Sequence, residues 1–126
     1  MENIFFTKEH YWVSIDNDIV TIGLTNFVLD NMNIINYIEL PTIGNVYNKT
    51  ELIGEINYDD GKTFELYSIF NGEILDINDS LSDNYEQLFS NDKSSNWLYR
   101  MYLSSRDELE DELISEDDYE EYLGEI

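Results

Sequence analysis

The sequence contains no cysteine, which excludes a disulfide framework, a thiolate metal site and a cysteine nucleophile. Its single histidine excludes a multi-histidine metal centre and argues against a Ser-His-Asp triad. Basic residues are scarce as well, since six Lys and Arg stand against 28 Asp and Glu, for a formal net charge of −22. A surface this acidic repels phosphate backbones and anionic lipids, so we expect neither nucleic acid nor a membrane as a partner.

Long apolar runs and targeting signals are also missing. No apolar stretch is long enough to cross a bilayer, and residues 1–4 show no basic start of a secretory signal. Because no transit peptide is visible either, we expect a cytoplasmic protein, or one of the mitochondrial matrix if the source is eukaryotic. The 126 residues, of which 42% are hydrophobic, suffice for one domain with its own core.

The chain before residue 104 consists of short Ile-, Val- and Tyr-rich stretches separated by turn residues. This pattern predicts a mainly β sandwich or barrel-like fold, with strands at 11–15, 19–24, 34–40, 50–58, 63–70, 73–78 and 97–103. Asp60-Gly61 and Asn71-Gly72 are strong signals for hairpin turns. Thr25 is predicted to cap a short helical turn over 26–31, and a second short helix is expected at 85–89.

Alternation within two of these strands predicts which side chains share a face of a sheet. In the strand 50–58 we expect Ile53 on one face and, on the other, Leu52, Gly54 and Ile56. In the strand 97–103 the two faces are expected to carry Trp97, Tyr99 and Met101 on one side and Leu98, Arg100 and Tyr102 on the other.

Residues 104–126 form a strongly acidic C-terminal segment with eleven acids and one Arg. Its apolar residues recur at helical spacing, and Ser115 has the position of an N-cap before a last helical stretch. The apolar side of this segment is predicted to contain Leu109, Leu113 and Ile114, followed by Tyr119, Tyr122 and Leu123. We expect the segment to pack on a β domain formed by residues 1–103. Its charge fits either a solvated helix face or an acidic docking surface for a basic partner.

Lys62 directly follows the Asp60-Gly61 turn, where a side chain is exposed and accessible from several directions. It is therefore either a solubilising turn residue or a lysine that an enzyme acylates so that it carries a tethered group. His10, the only histidine, is interpreted as a structural residue at the start of a strand. The acids near Lys62 lack the length and the terminal Glu of a calcium-binding loop, and no nucleotide-binding or hydrolase motif is present. We predict no catalytic residues and no metal site.

Several segments resemble, in order and at nearly the same spacing, motifs of the glycine cleavage system H proteins. The opening TKEHYWV at 7–13 is similar to TKEHxWV, and IGLTNF at 22–27 is similar to IGITxYA. IINYIELPTIG at 34–44 resembles DIVxVELPxVG, and YSIFNGEI at 67–74 resembles the start of SPVSGEVxEVN. The resemblance covers nearly the whole chain and implies a lipoyl-domain-like fold, a flattened barrel or sandwich (a barrel-sandwich hybrid) with short helices and a C-terminal acidic helix.

The resemblance also implies a function, that of a non-catalytic carrier with lipoic acid in amide linkage on a hairpin lysine. The implied partners are the pyridoxal-phosphate glycine decarboxylase, the aminomethyltransferase, dihydrolipoyl dehydrogenase and a lipoyl ligase or transferase. The carrier would shuttle an aminomethyl group between these enzymes while the chemistry belongs to the cofactor. By the same resemblance, Glu9, His10 and the segment 26–31 are expected near a cleft that shelters the loaded arm.

The sequence departs from the family pattern at the attachment hairpin. The family lysine lies six residues after a Gly and six before a Tyr, whereas Lys62 lies eight after Gly54 and five before Tyr67. The family's VKA signature is absent, and Lys62 is expected just past a tip formed by Asp59, Asp60 and Gly61. Lipoylated Lys62 is the first hypothesis. The alternatives are an unlipoylated H-like protein that acts as a binding or regulatory module, and a lipoyl or biotin carrier of another complex.

Overall fold

A computed structural model describes residues 4–109 and 113–126. Its nine strands are β1 (Ile4–Phe6), β2 (Tyr11–Asp16), β3 (Ile19–Leu24), β4 (Ile35–Glu39), β5 (Val46–Tyr47), β6 (Leu52–Tyr58), β7 (Lys62–Tyr67), β8 (Gly72–Ile77) and β9 (Tyr99–Leu103). The α-helices that lie wholly within the described residues are α1 (Asn26–Leu29), α2 (Ser80–Asp83), α3 (Lys93–Asn96) and α4 (Glu116–Glu125). Two 3₁₀ helices are formed by Tyr85–Phe89 and Arg106–Glu108.

The strands form two antiparallel sheets that pack on a common core. One sheet has six strands in the order β1-β2-β3-β9-β8-β5, and the other has three in the order β4-β6-β7. The large core between them contains fully buried side chains from both sheets, among them Ile22, Ile56, Leu66, Ile74 and Tyr99. The mainly β, lipoyl-domain-like fold predicted from the sequence is confirmed, in the form of two sheets that do not close into a barrel.

The connection at Asn71-Gly72 is not a hairpin turn, and that prediction is wrong. β7 and β8 lie in different sheets, so the chain crosses from one sheet to the other at 68–71. The crossover buries Ile69 and Phe70 in the core between the sheets. Gly72 is needed for a close approach instead, because a Cβ at this position would stand 2.4 Å from the Tyr102 carbonyl oxygen on β9.

A register shift also overturns the predicted face of Leu52. The pairing of β6 with β7 shifts between Leu52 and Gly54, so Leu52 is 53% exposed whereas Ile53 is buried with Ile56. An extra residue in one strand moves the neighbouring side chains to the other side of the sheet, which strict alternation cannot anticipate.

At the last strand the predicted alternation holds only inside β9. Its burial alternates from Tyr99 to Leu103, with Arg100 and Tyr102 exposed. Leu98, predicted to share their face, is fully buried because it precedes the strand. The two shortest strands, β1 and β5, have three and two residues and were not predicted, since so short a stretch carries no alternation signal.

The C-terminal helix α4 packs on the outer side of the six-stranded sheet. Ser115 caps it as predicted, since its hydroxyl accepts a hydrogen bond from the Asp118 amide at 3.2 Å. The acidic side chains of the first turn also interact favourably with the positive end of the helix dipole. The predicted apolar face is confirmed, and it meets β1 and β2 in a second core cluster of Phe6, Trp12 and Tyr119, joined by Ile4, Trp97, Ile114, Tyr122 and Leu123.

The helical spacing predicted before Ser115 does not continue through Ile114. The backbone of Ile114 is extended there and exchanges two hydrogen bonds with Phe6, at 2.9 and 2.8 Å. Leu109 and Leu113 contribute to the large core, and the prediction for residues 110–112 lies outside the described residues. Among the helices described, none has the length and apolarity needed to cross a bilayer.

Candidate functional site: the hairpin of Lys62

Strands β6 and β7 form a hairpin whose last register pair is Tyr58 with Lys62. The turn between them therefore has three residues, Asp59, Asp60 and Gly61, and all three have positive φ angles of 47°, 53° and 133°. Glycine adopts such angles readily, while L-residues such as aspartate require local support. The sequence signal Asp60-Gly61 correctly located the hairpin, and the turn is one residue longer than the two-residue type that it indicates.

The support comes from the segment that leads into β4, the neighbour of β6. One Asp59 carboxylate oxygen accepts hydrogen bonds from the backbone amides of Asn33 and Ile34, both at 2.9 Å. The other oxygen accepts from Asn33 Nδ2 at 3.3 Å, and the Asp59 amide donates to the Ile34 carbonyl at 2.8 Å. The bonds from Ile34 and Asn33, helped by the nearby charge of Lys62, lower the pKa of Asp59 below its ordinary value.

Asp60 is held to the same segment by a pair of hydrogen bonds. Its amide donates to Asn36 Oδ1 at 2.9 Å, and its carboxylate accepts from Asn36 Nδ2 at 3.2 Å. We call the contacts of Asp59 and Asp60 with Asn33, Ile34 and Asn36 the tip clamp. It joins residues that are 24 to 26 positions apart in the sequence.

Lys62 is exposed and directly follows the turn, as the first residue of β7. All four residues singled out in the sequence, Asp59 to Lys62, are thus together at the hairpin. The three-stranded sheet beneath them carries Glu39, Glu55 and Glu65 in one cross-strand register row, which we call the glutamate row. The surface next to the hairpin is therefore strongly negative.

A second group of residues surrounds His10, which has a φ of 75°. Its ring stacks on Phe27 with centroids 4.1 Å apart, and its Nδ1 lies 2.8 Å from the Tyr119 hydroxyl. The same hydroxyl lies 2.8 Å from Thr25 Oγ1. Burial lowers the pKa of His10 below its ordinary value. Thr25 stands at the N-cap position of α1 as predicted, but its side chain contacts Tyr119 and makes no cap hydrogen bond.

Of the residues expected around one cleft, Glu9 and the segment 26–31 contribute to two separate cavities, and His10 lines neither of them. Glu9 lines a cavity of about 220 Å³ with Tyr11, Lys49 and Tyr67, at the far end of β7 from the tip. Asn26 and Phe27 line another cavity of about 240 Å³ with Tyr119. The Tyr11 hydroxyl accepts a hydrogen bond from the Tyr67 amide at 3.3 Å, and burial raises the pKa of Tyr11 to about 12.

Sequence reasoning missed the asparagines of the tip clamp and the role of Tyr119. Asparagine is abundant throughout this chain, so nothing marked Asn33 or Asn36 as special. Tyr119 was assigned correctly to the packed face of its helix, but its contacts with Thr25 and His10 join positions 94 and 109 residues apart. Only the tertiary structure brings such residues together.

Comparison with known proteins points, over nearly the whole chain, to the same family that the sequence motifs resemble. The family model described as Glycine cleavage H-protein matches residues 4–126. The chain is 31% identical to the glycine cleavage system H protein of Bartonella tribocorum over 124 residues, covering 98% of this chain and 100% of that protein. It is 33% identical to the H protein of Staphylococcus epidermidis over 121 residues, covering 95% of this chain and 94% of that one.

A solved structure shares the fold. The crystal structure of a glycine cleavage system H protein from Mycobacterium marinum superposes with a TM-score of 0.83 at 20% identity, covering 96% of each chain. The resemblance noted in the sequence motifs is confirmed by these matches, which extend across both sheets, the hairpin and the C-terminal helix. The chain belongs to the glycine cleavage H-protein family.

Proposed function

We propose that Lys62 is the lysine that carries lipoic acid in this H protein. Members of the family are non-catalytic lipoyl carriers that serve the enzymes of the glycine cleavage system. The observation that supports Lys62 is its position, exposed beside the turn of the β6–β7 hairpin. An exposed ammonium group on a strand end can reach the active site of a modifying enzyme while the strand behind it stays paired.

The other lysines have different surroundings. Lys8 lies over the ring of Tyr122, at 5.5 Å from the centroid, and Lys93 lies over the ring of Trp12 at 5.8 Å. Lys49 belongs to the loop between β5 and β6 and lines a cavity with Glu9. Lys8 also lies in a turn between paired strands, the one that joins β1 to β2, but its ammonium group is placed over the Tyr122 ring. In the described part of the chain, Lys49 and Lys93 lie outside such turns.

We further propose that the loaded protein docks in turn with the glycine decarboxylase, the aminomethyltransferase and dihydrolipoyl dehydrogenase. Lipoic acid supplies the dithiolane that takes up the aminomethyl group and is later reoxidised. The chain itself holds the lipoyl-lysine at a fixed place on the paired strands β6 and β7. A tether of limited length then samples each active site at high effective concentration. An acidic face beside the arm favours partners with a basic rim, since complementary charge speeds docking.

Residues 1–103 and 104–126 are proposed to form one unit, a lipoyl-domain-like β domain on which the acidic C-terminal segment packs. The contacts that support this are the backbone pairing of Phe6 with Ile114 and the stacking of Phe6 on Tyr119, whose ring centroids are 4.9 Å apart.

The experiment that tests the attachment site is co-expression with a lipoyl ligase in the presence of lipoic acid. We expect intact mass spectrometry to show one added lipoyl group. Trypsin cannot cut after an acylated lysine, so residues 50–93 should remain one peptide instead of being cut after Lys62. Lys62→Arg should abolish the added mass, whereas Lys49→Arg, the matched control in a neighbouring loop, should retain it.

The same experiment can contradict the proposal. If the protein remains unmodified and is cut after Lys62 while another H protein in the same cells is lipoylated, Lys62 is not an attachment site for that ligase. The alternative of an unlipoylated binding module would then stand. If a lipoyl group is found on a different lysine, the carrier function holds and the assignment of Lys62 is wrong.

A further inference from the structure

We propose that the tip clamp positions Lys62 for the enzyme that modifies it, and that Asp59 acts through the clamp rather than by offering its charge to that enzyme. The inference rests on the proposed attachment at Lys62. It assigns Asp59, Asp60 and Asn36 as positioning residues, because they act on the orientation of Lys62 through the backbone of the turn.

The first reason is that both carboxylate oxygens of Asp59 are already in use. One accepts two backbone amide bonds at 2.9 Å, and the other accepts from Asn33 Nδ2 at 3.3 Å. All three donors belong to Asn33 and Ile34, so the carboxylate is directed towards the start of β4. Asp59 stands three positions before Lys62, and its carboxylate makes these hydrogen bonds within the protein.

The second reason is that the turn needs outside support. Asp59 and Asp60 have left-handed backbone angles in succession, whereas aspartate visits this conformation only occasionally, as a single residue and with local hydrogen bonds. The clamp stabilises them from a third strand, since Asn36 belongs to β4 and bonds both the amide and the carboxylate of Asp60. Without the clamp we expect the turn to exchange among several conformations.

The third reason is that the orientation of Lys62 depends directly on the conformation of the turn. Its register partner is Tyr58, so the pair Tyr58–Lys62 closes the turn directly. A change of conformation at Asp59 to Gly61 therefore rotates the start of β7. If only a fraction of the molecules presents Lys62 correctly, the apparent affinity of the modifying enzyme falls by that fraction, while the rate within the productive complex is unchanged.

The test is steady-state lipoylation of purified variants by a lipoyl ligase. Asn36→Ala removes two clamp bonds without changing charge, and we expect the KM for the protein to rise on the order of tenfold with kcat within about twofold. Asp59→Ala should behave in the same way. Asp59→Asn keeps an oxygen that can accept the two amide bonds, so its KM should stay within about threefold of the wild type. Asn91→Ala and Asp83→Asn are matched controls away from the hairpin.

If the modifying enzyme instead recognises the negative charge of Asp59, the variants should show the opposite pattern of KM changes, and that result would overturn the proposal. In that case Asp59→Asn loses as much activity as Asp59→Ala, while Asn36→Ala behaves like the wild type. A fall in kcat with an unchanged KM in Asn36→Ala would also contradict it, because the clamp would then affect the chemical step and not the presentation of Lys62.

A second readout needs no lipoylation and separates this inference from the proposed function. Backbone ¹⁵N relaxation of the unmodified protein should give order parameters of about 0.85 for Gly61 and Lys62, as in rigid backbone. In Asn36→Ala and Asp59→Ala these should fall towards about 0.6 or below. If no ligase modifies the wild type, the attachment at Lys62 fails while relaxation still decides whether the clamp exists. Unchanged order parameters in both variants, together with no μs–ms exchange at Gly61 and Lys62 in relaxation-dispersion measurements, would refute the clamp.

Discussion

At position 10 the backbone has a φ of 75°, a conformation that is uncommon for residues other than glycine, although histidine, asparagine and aspartate adopt it more often than the rest. The structure holds His10 there by stacking it on Phe27 and by joining it to the Tyr119 hydroxyl, which is 2.8 Å away. The sequence predicted a structural role for this histidine. In the structure, His10 lies where the start of β2 contacts the C-terminal helix.

We predict that the pKa of His10 lies below its ordinary value of 6.5, because partial burial of the ring penalises the charged form. The unfolded chain then takes up the proton before the folded one does. Stability should therefore decrease as the pH falls through 6.5 towards the lower pKa of the folded state, and it should be unaffected by this group at higher pH. A ¹H NMR titration of the ring protons, with denaturant unfolding between pH 7 and pH 5, measures both effects.

His10→Asn is the matched variant, since asparagine tolerates a positive φ but does not titrate. We expect its unfolding free energy to fall less steeply than that of the wild type over the same pH range. A measured pKa of 6.5 or above would contradict the prediction, and would mean that the field of the 28 acids outweighs the burial of the ring.

Gly54 shows a second constraint that acts on a single residue. A Cβ at this position would stand 2.2 Å from the carbonyl oxygen of Glu39, so β4 can pair with β6 at this distance only because the side chain is absent. The same glycine is the residue from which the family spacing to the lysine is counted. It therefore belongs to the support of the hairpin and not to its tip.

At the level of elements, the three-stranded sheet contains an unfavourable feature in its glutamate row. Glu39 is paired with Glu55, and Glu55 with Glu65, so three carboxylates stand side by side on the outer face of the sheet. Like charges directly opposite each other destabilise a sheet. The hairpin nevertheless forms, because Ile56 and Leu66 on the inner face are fully buried.

We predict that Glu55→Gln, at the centre of the glutamate row, stabilises the protein by about 0.2–1 kcal/mol at low ionic strength. The gain should shrink in about 1 M salt, where the screening length is shorter than the distance between strands. Urea unfolding at both salt concentrations measures it. Glu73→Gln is the control, since Glu73 on β8 is paired with Val46 and Tyr102 and not with another acid. An equal gain in both variants would mean that overall charge, and not the row, is responsible.

At the level of the whole molecule, the question is whether the acidic C-terminal segment folds together with the β sheets. Its charge opposes this, since residues 104–126 hold eleven acids and one Arg. Packing favours it, because Phe6, Trp12 and Tyr119 are buried together where α4 meets β1 and β2. A buried aromatic side chain stabilises by about 1.5–3 kcal/mol, which exceeds the repulsion expected between screened surface charges.

We therefore predict a single cooperative unfolding transition. Both tryptophans of the chain, Trp12 and Trp97, belong to the cluster beneath α4, so tryptophan fluorescence reports on that cluster. Far-UV circular dichroism reports on the sheets. The two signals should give the same urea midpoint, and Tyr119→Ala should lower both midpoints together.

Tyr102→Ala is the control, since Tyr102 is 49% exposed and its loss should change the midpoints little. A fluorescence transition that precedes the circular dichroism transition would contradict the prediction. It would show that the C-terminal segment detaches before the sheets unfold.

Local sequence patterns were enough to predict most of the strands, the hairpin at Asp60-Gly61, the cap at Ser115 and the membership of the family. These features depend on alternation, turn residues and short motifs, all of which are local. Local patterns also located Lys62 just past the turn, although they could not describe the turn's conformation.

The folded structure was needed to establish where the chain changes sheets, which side Leu52 faces and what holds the tip of the hairpin. The crossover at 68–71 looks like a hairpin locally, and the register shift between Leu52 and Gly54 arises only in the pairing of β6 with β7. The tip clamp joins Asp59 and Asp60 to asparagines 24 to 26 residues earlier, a distance over which no local pattern extends. The physical reason is the same in each case, because these contacts exist only after distant strands have packed.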